Sequence, residues 1–242
     1  MNARLRLLVS GLACGFGLFA FSATASAQVL LDEDFEDSDA SGWTVNGVPT
    51  IYTDQGNPGN YLVLPLDAYE GVSLSARGPE SMVLGDLTTG GPLRLSFDVR
   101  TFAAYTFFED NLDMHLWPLV FELTDQNAEG INIASVYTIK GTWTNIKEGW
   151  VRVSLDLPDP TSTTLPPDWG GTGDEDPVTF EPRLPPGVTY ADVLSSVDEV
   201  RVTTFVPGYF YASNFYEVGF DNVRVELVGG ECRADFNNCL LY

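Results

Sequence analysis

Apolar and polar residues alternate one by one along much of this chain, and that period limits what it can fold into. In 93–99, Leu93, Leu95, Phe97 and Val99 fall on one side while Arg94, Ser96 and Asp98 fall on the other. Val151, Val153, Leu155 and Leu157 repeat the pattern, as do Val200 and Val202 with Arg201 and Thr203. Successive side chains of an extended strand face opposite sides, so the alternation predicts half-buried antiparallel strands. Further strands are expected at 61–65, 71–76, 113–124, 131–139 and 216–227, separated by turn formers such as Asp54-Gln55-Gly56-Asn57-Pro58-Gly59. Short strands with almost no helical periodicity predict an all-β protein, an antiparallel β-sandwich or jelly roll. One short helix is expected where Thr189 caps Tyr190-Ala191-Asp192-Val193-Leu194, with Asp192 three places after the cap. Before it, residues 158–186 hold eight of the fifteen prolines together with Gly170, Gly171, Gly173, Asp174, Glu175 and Asp176. A loop of that length is either functional or mobile.

Composition narrows the function classes. Among 242 residues, 12 Lys and Arg face 34 Asp and Glu, a formal charge of −22. Such acidity excludes nucleic acid and anionic membrane surfaces, which are held by Lys and Arg. A hydrophobic content of 44% is too high for an acidic disordered chain and supports a packed core. The first 27 residues read as a secretory signal: Arg4 and Arg6, an apolar run from Leu7 to Phe21, then Ala25-Ser26-Ala27 for cleavage. The other reading, a membrane anchor, wants about 20 apolar residues. Leu12 stands two places before Cys14, not three, so Cys14 does not read as a lipidation site. No transmembrane segment is expected after cleavage, and the protein is expected to be secreted or at the cell surface. The organisation is then a signal (1–27), one sandwich domain (28–228) and a tail (229–242). Cys232 and Cys239, both in the tail, can pair in an oxidising compartment but would close only that tail.

The order of elements in the second half carries a family resemblance. Trp143 and Gly149-Trp150-Val151-Arg152-Val153 precede the proline-rich stretch. The helix with Ser195-Ser196-Val197, the strand Glu199-Val200-Arg201-Val202 and a closing Gly219-Phe220-Asp221-Asn222-Val223-Arg224-Val225 follow. This succession resembles the laminin B domain (laminin domain IV), and its closing strand also resembles carbohydrate-binding jelly rolls. Either resemblance implies an antiparallel sandwich that binds or spaces and does not catalyse. The cysteine-rich repeats that flank the laminin domain are absent from this chain, so a basement-membrane role is not carried over. In the tail, Cys232-Arg233-Ala234-Asp235-Phe236-Asn237 resembles the opening of dockerin-like modules. Cys239 and Leu240 stand where that calcium loop wants an acid and a glycine, so the module reads as truncated.

Two constellations are candidates for binding. Asp32, Glu33, Asp34, Glu36, Asp37 and Asp39 place six acids in eight positions, which repel unless solvent or a cation screens them. Jelly rolls similar to this one often hold a structural calcium where the first strand meets the last. Calcium takes six to eight oxygens; Glu36 on the first strand and Asp221 on the last are the expected ligands, with Asp34 behind them. The alternative is a solvated acidic edge that blocks strand-to-strand association. The second constellation is the aromatic loop 207–216, where Tyr209, Tyr211, Asn214 and Tyr216 offer a sugar both stacking and hydrogen bonds. Aromatics packed over the sandwich edge are the competing reading. Trp169, isolated in the polar stretch, is a further stacking candidate, whereas Trp43, Trp117, Trp143 and Trp150 are assigned to the core.

Catalysis finds little support. His115, the only histidine, lies in an expected strand with no triad around it, and no His/Cys spacing suits zinc. A glycosidase needs only two carboxylates, which leaves a glycan-active hydrolase as a third reading. The leading reading is a secreted, non-enzymatic binding or adhesion module for an extracellular glycan or matrix protein. Its rival is a structural spacer of the envelope with no ligand.

Overall fold

The computed structural model describes residues 28–40, 43–45, 50–64, 73–77, 85–89, 91–106, 118–126, 133–142, 149–207 and 214–228. The expected signal segment, the cysteine tail with Cys232 and Cys239, and His115, Trp117 and Trp143 lie outside them. The fold is the antiparallel jelly-roll sandwich that the period predicts. One sheet, sheet A, orders β3 (Thr50–Gly56), β4 (Gly59–Leu64), β14 (Asn214–Leu227), β6 (Leu93–Thr106) and β9 (Val151–Asp156), and β1 (Gln28–Glu33) also pairs with β14. Sheet B orders β10 (Trp169–Thr172), β8 (Ala134–Thr142), β7 (Pro118–Asp125), β13 (Glu199–Thr203), β5 (Ser73–Arg77) and β2 (Trp43–Val45). Every pairing within both sheets is antiparallel.

The core lies between the sheets, built by alternate residues of facing strands. Phe97 of β6 meets Phe121 of β7 across the layers at 5.4 Å between ring centroids, and Phe220 of β14 at 5.6 Å. Leu95, Val99, Leu155, Val218 and Val225 of sheet A complete this packing with Leu123, Val136, Val200 and Val202 of sheet B. Aromatic contacts of this kind add roughly 0.5–1.5 kcal/mol to the burial of their area. The helix α1 (Tyr190–Leu194) starts at Thr189 through the expected capping box: the Thr189 hydroxyl accepts from Asp192 N at 3.2 Å, and Asp192 Oδ2 accepts from Thr189 N at 2.8 Å. Its Tyr190, Val193 and Leu194 are buried against the core.

The stretch 158–186 departs from a plain loop. Within it β10 pairs with the edge of sheet B, and β11 (Asp174–Glu175) and β12 (Pro182–Arg183) form a separate hairpin. Trp169 is the reason: its ring is 9% exposed and stands edge-on to Tyr190 at 5.5 Å, on the core side of β10. The expectation that Trp169 is an exposed stacking residue is therefore corrected, because the polar sequence around it hid a core anchor. Trp43 is half-buried and edge-on to the fully buried Phe35. Trp150, expected in the core, instead lies half-buried on the outward side of sheet A, edge-on to Tyr61 at 5.4 Å. Trp169→Ala is expected to cost about 3–5 kcal/mol of stability, read as a lower urea midpoint with an unchanged slope; a loss below about 1 kcal/mol would contradict the anchoring role.

Candidate functional site

The acidic start meets β14 directly where β1 pairs with it, Asp32 opposite Arg224 and Glu33 opposite Val223, and past the end of β1 the two meet again through a hairpin turn. The turn between β3 and β4 is clasped from both sides. Asp221, fully buried in β14, accepts from the main-chain N of Asn57 with one oxygen and from Asn222 N at 2.7 Å with the other. Glu36, beyond the end of β1, accepts from Asn60 N at 2.8 Å. Gly59 sits beneath that carboxylate with φ +86°, and any Cβ there would collide with Glu36. Asp98 of β6 receives Arg152 at 3.2 Å, and the Asn222 and Asn57 side-chain amides at 2.8 and 3.2 Å. Asn222 Nδ2 also donates to the Asn57 carbonyl at 2.6 Å.

Asp34, the third expected ligand, is not drawn in: it is exposed and its carboxylate accepts from Glu36 N in a local turn at 3.1 Å. Among the described residues, no three His, Cys, Asp or Glu side chains gather as a metal-binding group. What the fold assembles is the pair Glu36 and Asp221 beside main-chain carbonyls. Burial, with Asp98 and Glu36 nearby, pushes the Asp221 carboxyl up to about 6 despite its two N–H donors.

The aromatic loop divides differently. Tyr209 and Tyr211 lie outside the described residues. Asn214 and Tyr216 belong to the start of β14, in register with Thr106 and Ala104 of β6, so the expected loop gives way to strand there.

A second site, which the sequence reading did not single out, lies on the face of sheet B turned away from the core. One row crosses all six strands there: Gly170, Tyr137, Glu122, Arg201, Ser75 and Thr44 are successive register partners. Strand spacing makes that row about 24 Å wide. Arg201 Nη1 donates to Glu122 Oε2 at 3.0 Å, and its Nη2 and Nε donate to Glu199 Oε1 at 2.8 and 3.1 Å. Gln126 Nε2 donates to the other Glu199 oxygen at 3.2 Å. The Glu122 and Glu199 side chains are 7% and 1% exposed, while Arg201 retains 29%. Thr124 and Ser135 share a buried hydroxyl contact of 2.9 Å in the adjoining row. Burial pushes the Glu122 carboxyl above the ordinary range, against the pull of Arg201 and a hydrogen bond from Ser135. Tyr137, half-buried, covers Gly170: a Cβ on that glycine would run into the phenol ring. Its partner being a glycine, the ring lies close against the backbone of β10.

The sequence carried a partial signal for this site. Arg201 is the polar residue between Val200 and Val202, and Glu122 stands between Phe121 and Leu123, so both were readable as outward-facing. That they meet depends on β13 pairing with β7, which no period encodes.

No protein-family model matches the chain, and no curated protein sequence matches it. Solved structures similar to it include the tandem CBM22-1–CBM22-2 domains of Paenibacillus barcinonensis Xyn10C, with a TM-score of 0.45 and 12% identity over 86% of this chain. This chain spans about half, 51%, of that tandem. The CBM22-2 xylan-binding domain from the same protein gives 0.44 and 13%, covering 82% of this chain and 99% of that one. The L4b domain of human laminin alpha-2 gives 0.39 and 13%, covering 69% and 79%. At such identities the chemistry has to come from the side chains of this chain itself.

The Asp221 titration makes a checkable link to stability. Folding raises this pKa from an ordinary 3.8 to about 6, so the folded protein keeps the proton to higher pH than the unfolded chain. Stability from this group is therefore lost as pH rises from about 4 through about 6. In calcium-free buffer, the melting temperature of Asp221→Asn should gain on that of the parent across this window; parallel curves would contradict the assignment.

Proposed function

We propose that this protein is an exported, non-enzymatic carbohydrate-binding module, with the glycan lying across the strands on the outward face of sheet B. The observation that carries the reading is the row Tyr137–Glu122–Arg201, extended by Glu199 and Gln126. Charged groups withdrawn from water cost free energy, and these lie on the face of sheet B opposite the core. A sugar offers hydroxyls that donate to carboxylates and accept from guanidinium and amide groups, together with an apolar face for a phenol ring. The row supplies all three.

A hydrolase reading is less favoured. A glycosidase separates the roles of two carboxyl groups, one donating a proton to the leaving oxygen. Here Glu122 and Glu199 both bind the same guanidinium. Among the described residues no helix is long and apolar enough to cross a membrane.

Calcium belongs to the same proposal. Glu36 and Asp221 would hold the ion with carbonyls of the β3–β4 turn, and its charge would offset the acids that now raise the Asp221 pKa. A chelator should then lower the melting temperature by a few degrees; an unchanged melt would remove calcium from the account.

The test of binding is a glycan and matrix-protein array probed with the parent, Glu122→Gln and Tyr137→Ala. The expected result is retention of a glycan by the parent and a loss of about tenfold or more in affinity for each variant. No retained glycan would favour the spacer reading. Equal binding by parent and variants would move the site elsewhere.

A further inference from the structure

The β11–β12 hairpin presents apolar side chains in a way the binding face does not explain. Val178 is 81% exposed and Phe180 74%, far beyond the other exposed large hydrophobic residues of the described chain. Both stand at the tip of a tightly held turn. Asp176 Oδ1 accepts from Val178 N and Thr179 N at 2.8 and 3.0 Å, and the Asp176 carbonyl accepts from Phe180 N at 2.8 Å. Arg183 forks onto Asp174 at 2.8 and 3.0 Å and reaches Asp176 at 3.3 Å. Phe180 holds φ +60°, a conformation that bulky side chains rarely adopt. Below the tip, Leu184 packs over Gly171 and against the core. The hairpin is thus a fixed projection whose water-facing apolar area carries a standing cost.

We propose that this tip is a docking element, with Val178 and Phe180 entering an apolar pocket on a partner protein whose rim carries Lys and Arg. Charge selects that occupant. Within the hairpin 174–183, Asp174, Glu175, Asp176 and Glu181 flank the tip and Arg183 is the one cation. Anionic lipid would be repelled by these carboxylates. A second copy of this chain is a poor complement, because the protein has 12 Lys and Arg against 34 acids. Of its arginines, those at 94, 152, 183, 201 and 224 are already held by carboxylates. A basic rim leaves the acids paired around a dehydrated aromatic anchor, the arrangement of a binding hot spot.

The probe is a displayed library of random linear peptides, selected on the parent protein. The counter-target is the double variant Val178→Ser/Phe180→Ser. Both side chains are exposed, so the variant should keep the parent's melting temperature and its glycan binding. The expected outcome is enrichment of peptides that combine aromatic or aliphatic residues with Lys and Arg. These should lose about tenfold or more in affinity on the double variant, and lose affinity again on Glu175→Lys/Glu181→Lys. No enrichment, or peptides that bind parent and double variant equally, would overturn the proposal. So would a Phe180-dependent dimer in sedimentation, which assigns the tip to a second copy. Phe180-dependent flotation with phosphatidylcholine vesicles would assign it to lipid and overturn the proposal equally.

Discussion

The pairing of β6 with β14 is the contact on which the rest of the molecule depends. These two fourteen-residue strands run in register from Leu93↔Leu227 to Thr106↔Asn214. The last strand is therefore central in sheet A, where it also receives β1 and β4. Sheet A forms only when residues near 220 return to residues near 60 and 100, so the loop-closure cost precedes most of the reward. The two register shifts in this pair fall between Glu217 and Val218 and between Asp221 and Arg224. The second shift sets Asp221 into the β3–β4 turn and places Asn222 at φ +49° against Asp98. A local irregularity in the central pair thus builds the junction where both ends of the domain are tied together.

Few cations have to serve many acids. Each outward sheet face sets an arginine against buried carboxylate: Arg152 beside Asp98 on sheet A, and Arg201 beside Glu122 and Glu199 on sheet B. The two solutions differ. On sheet A, asparagine amides and main-chain N–H groups satisfy Asp98 and Asp221, and the result is a structural clasp. On sheet B the carboxylates are buried around a guanidinium that keeps 29% of its surface exposed, beside a phenol ring over glycine. That contrast is what separates a junction from a candidate binding face.

Much of the fold was legible because it rests on period and local chemistry. Alternation located the strands from Leu93, Val151, Val200 and the region after Tyr216, and Thr189 with Asp192 marked the helix start. Trp169 was misread because its neighbours are prolines, glycines and acids, and its burial comes from β10 pairing with β8 and from Tyr190, both distant in sequence. Glu36 was expected on the first strand but lies past its end at Glu33, where it reaches Asn60. Asp34 looked equivalent to Glu36 in a run of acids, and only geometry separates a residue that turns locally from one that reaches the hairpin. The Glu122–Arg201 contact was invisible for a similar reason: facing can be read from one strand, pairing cannot.

The central claim is that the outward face of sheet B, and not sheet A or the hairpin tip, receives the glycan. Backbone amide NMR of the labelled protein, titrated with a glycan retained on the array, tests it residue by residue. The account predicts saturable shifts concentrated in 120–124, 135–139 and 199–203, with 96–100 and 176–181 unmoved. Shifts centred on 96–100 or on 176–181, with sheet B silent, would contradict it.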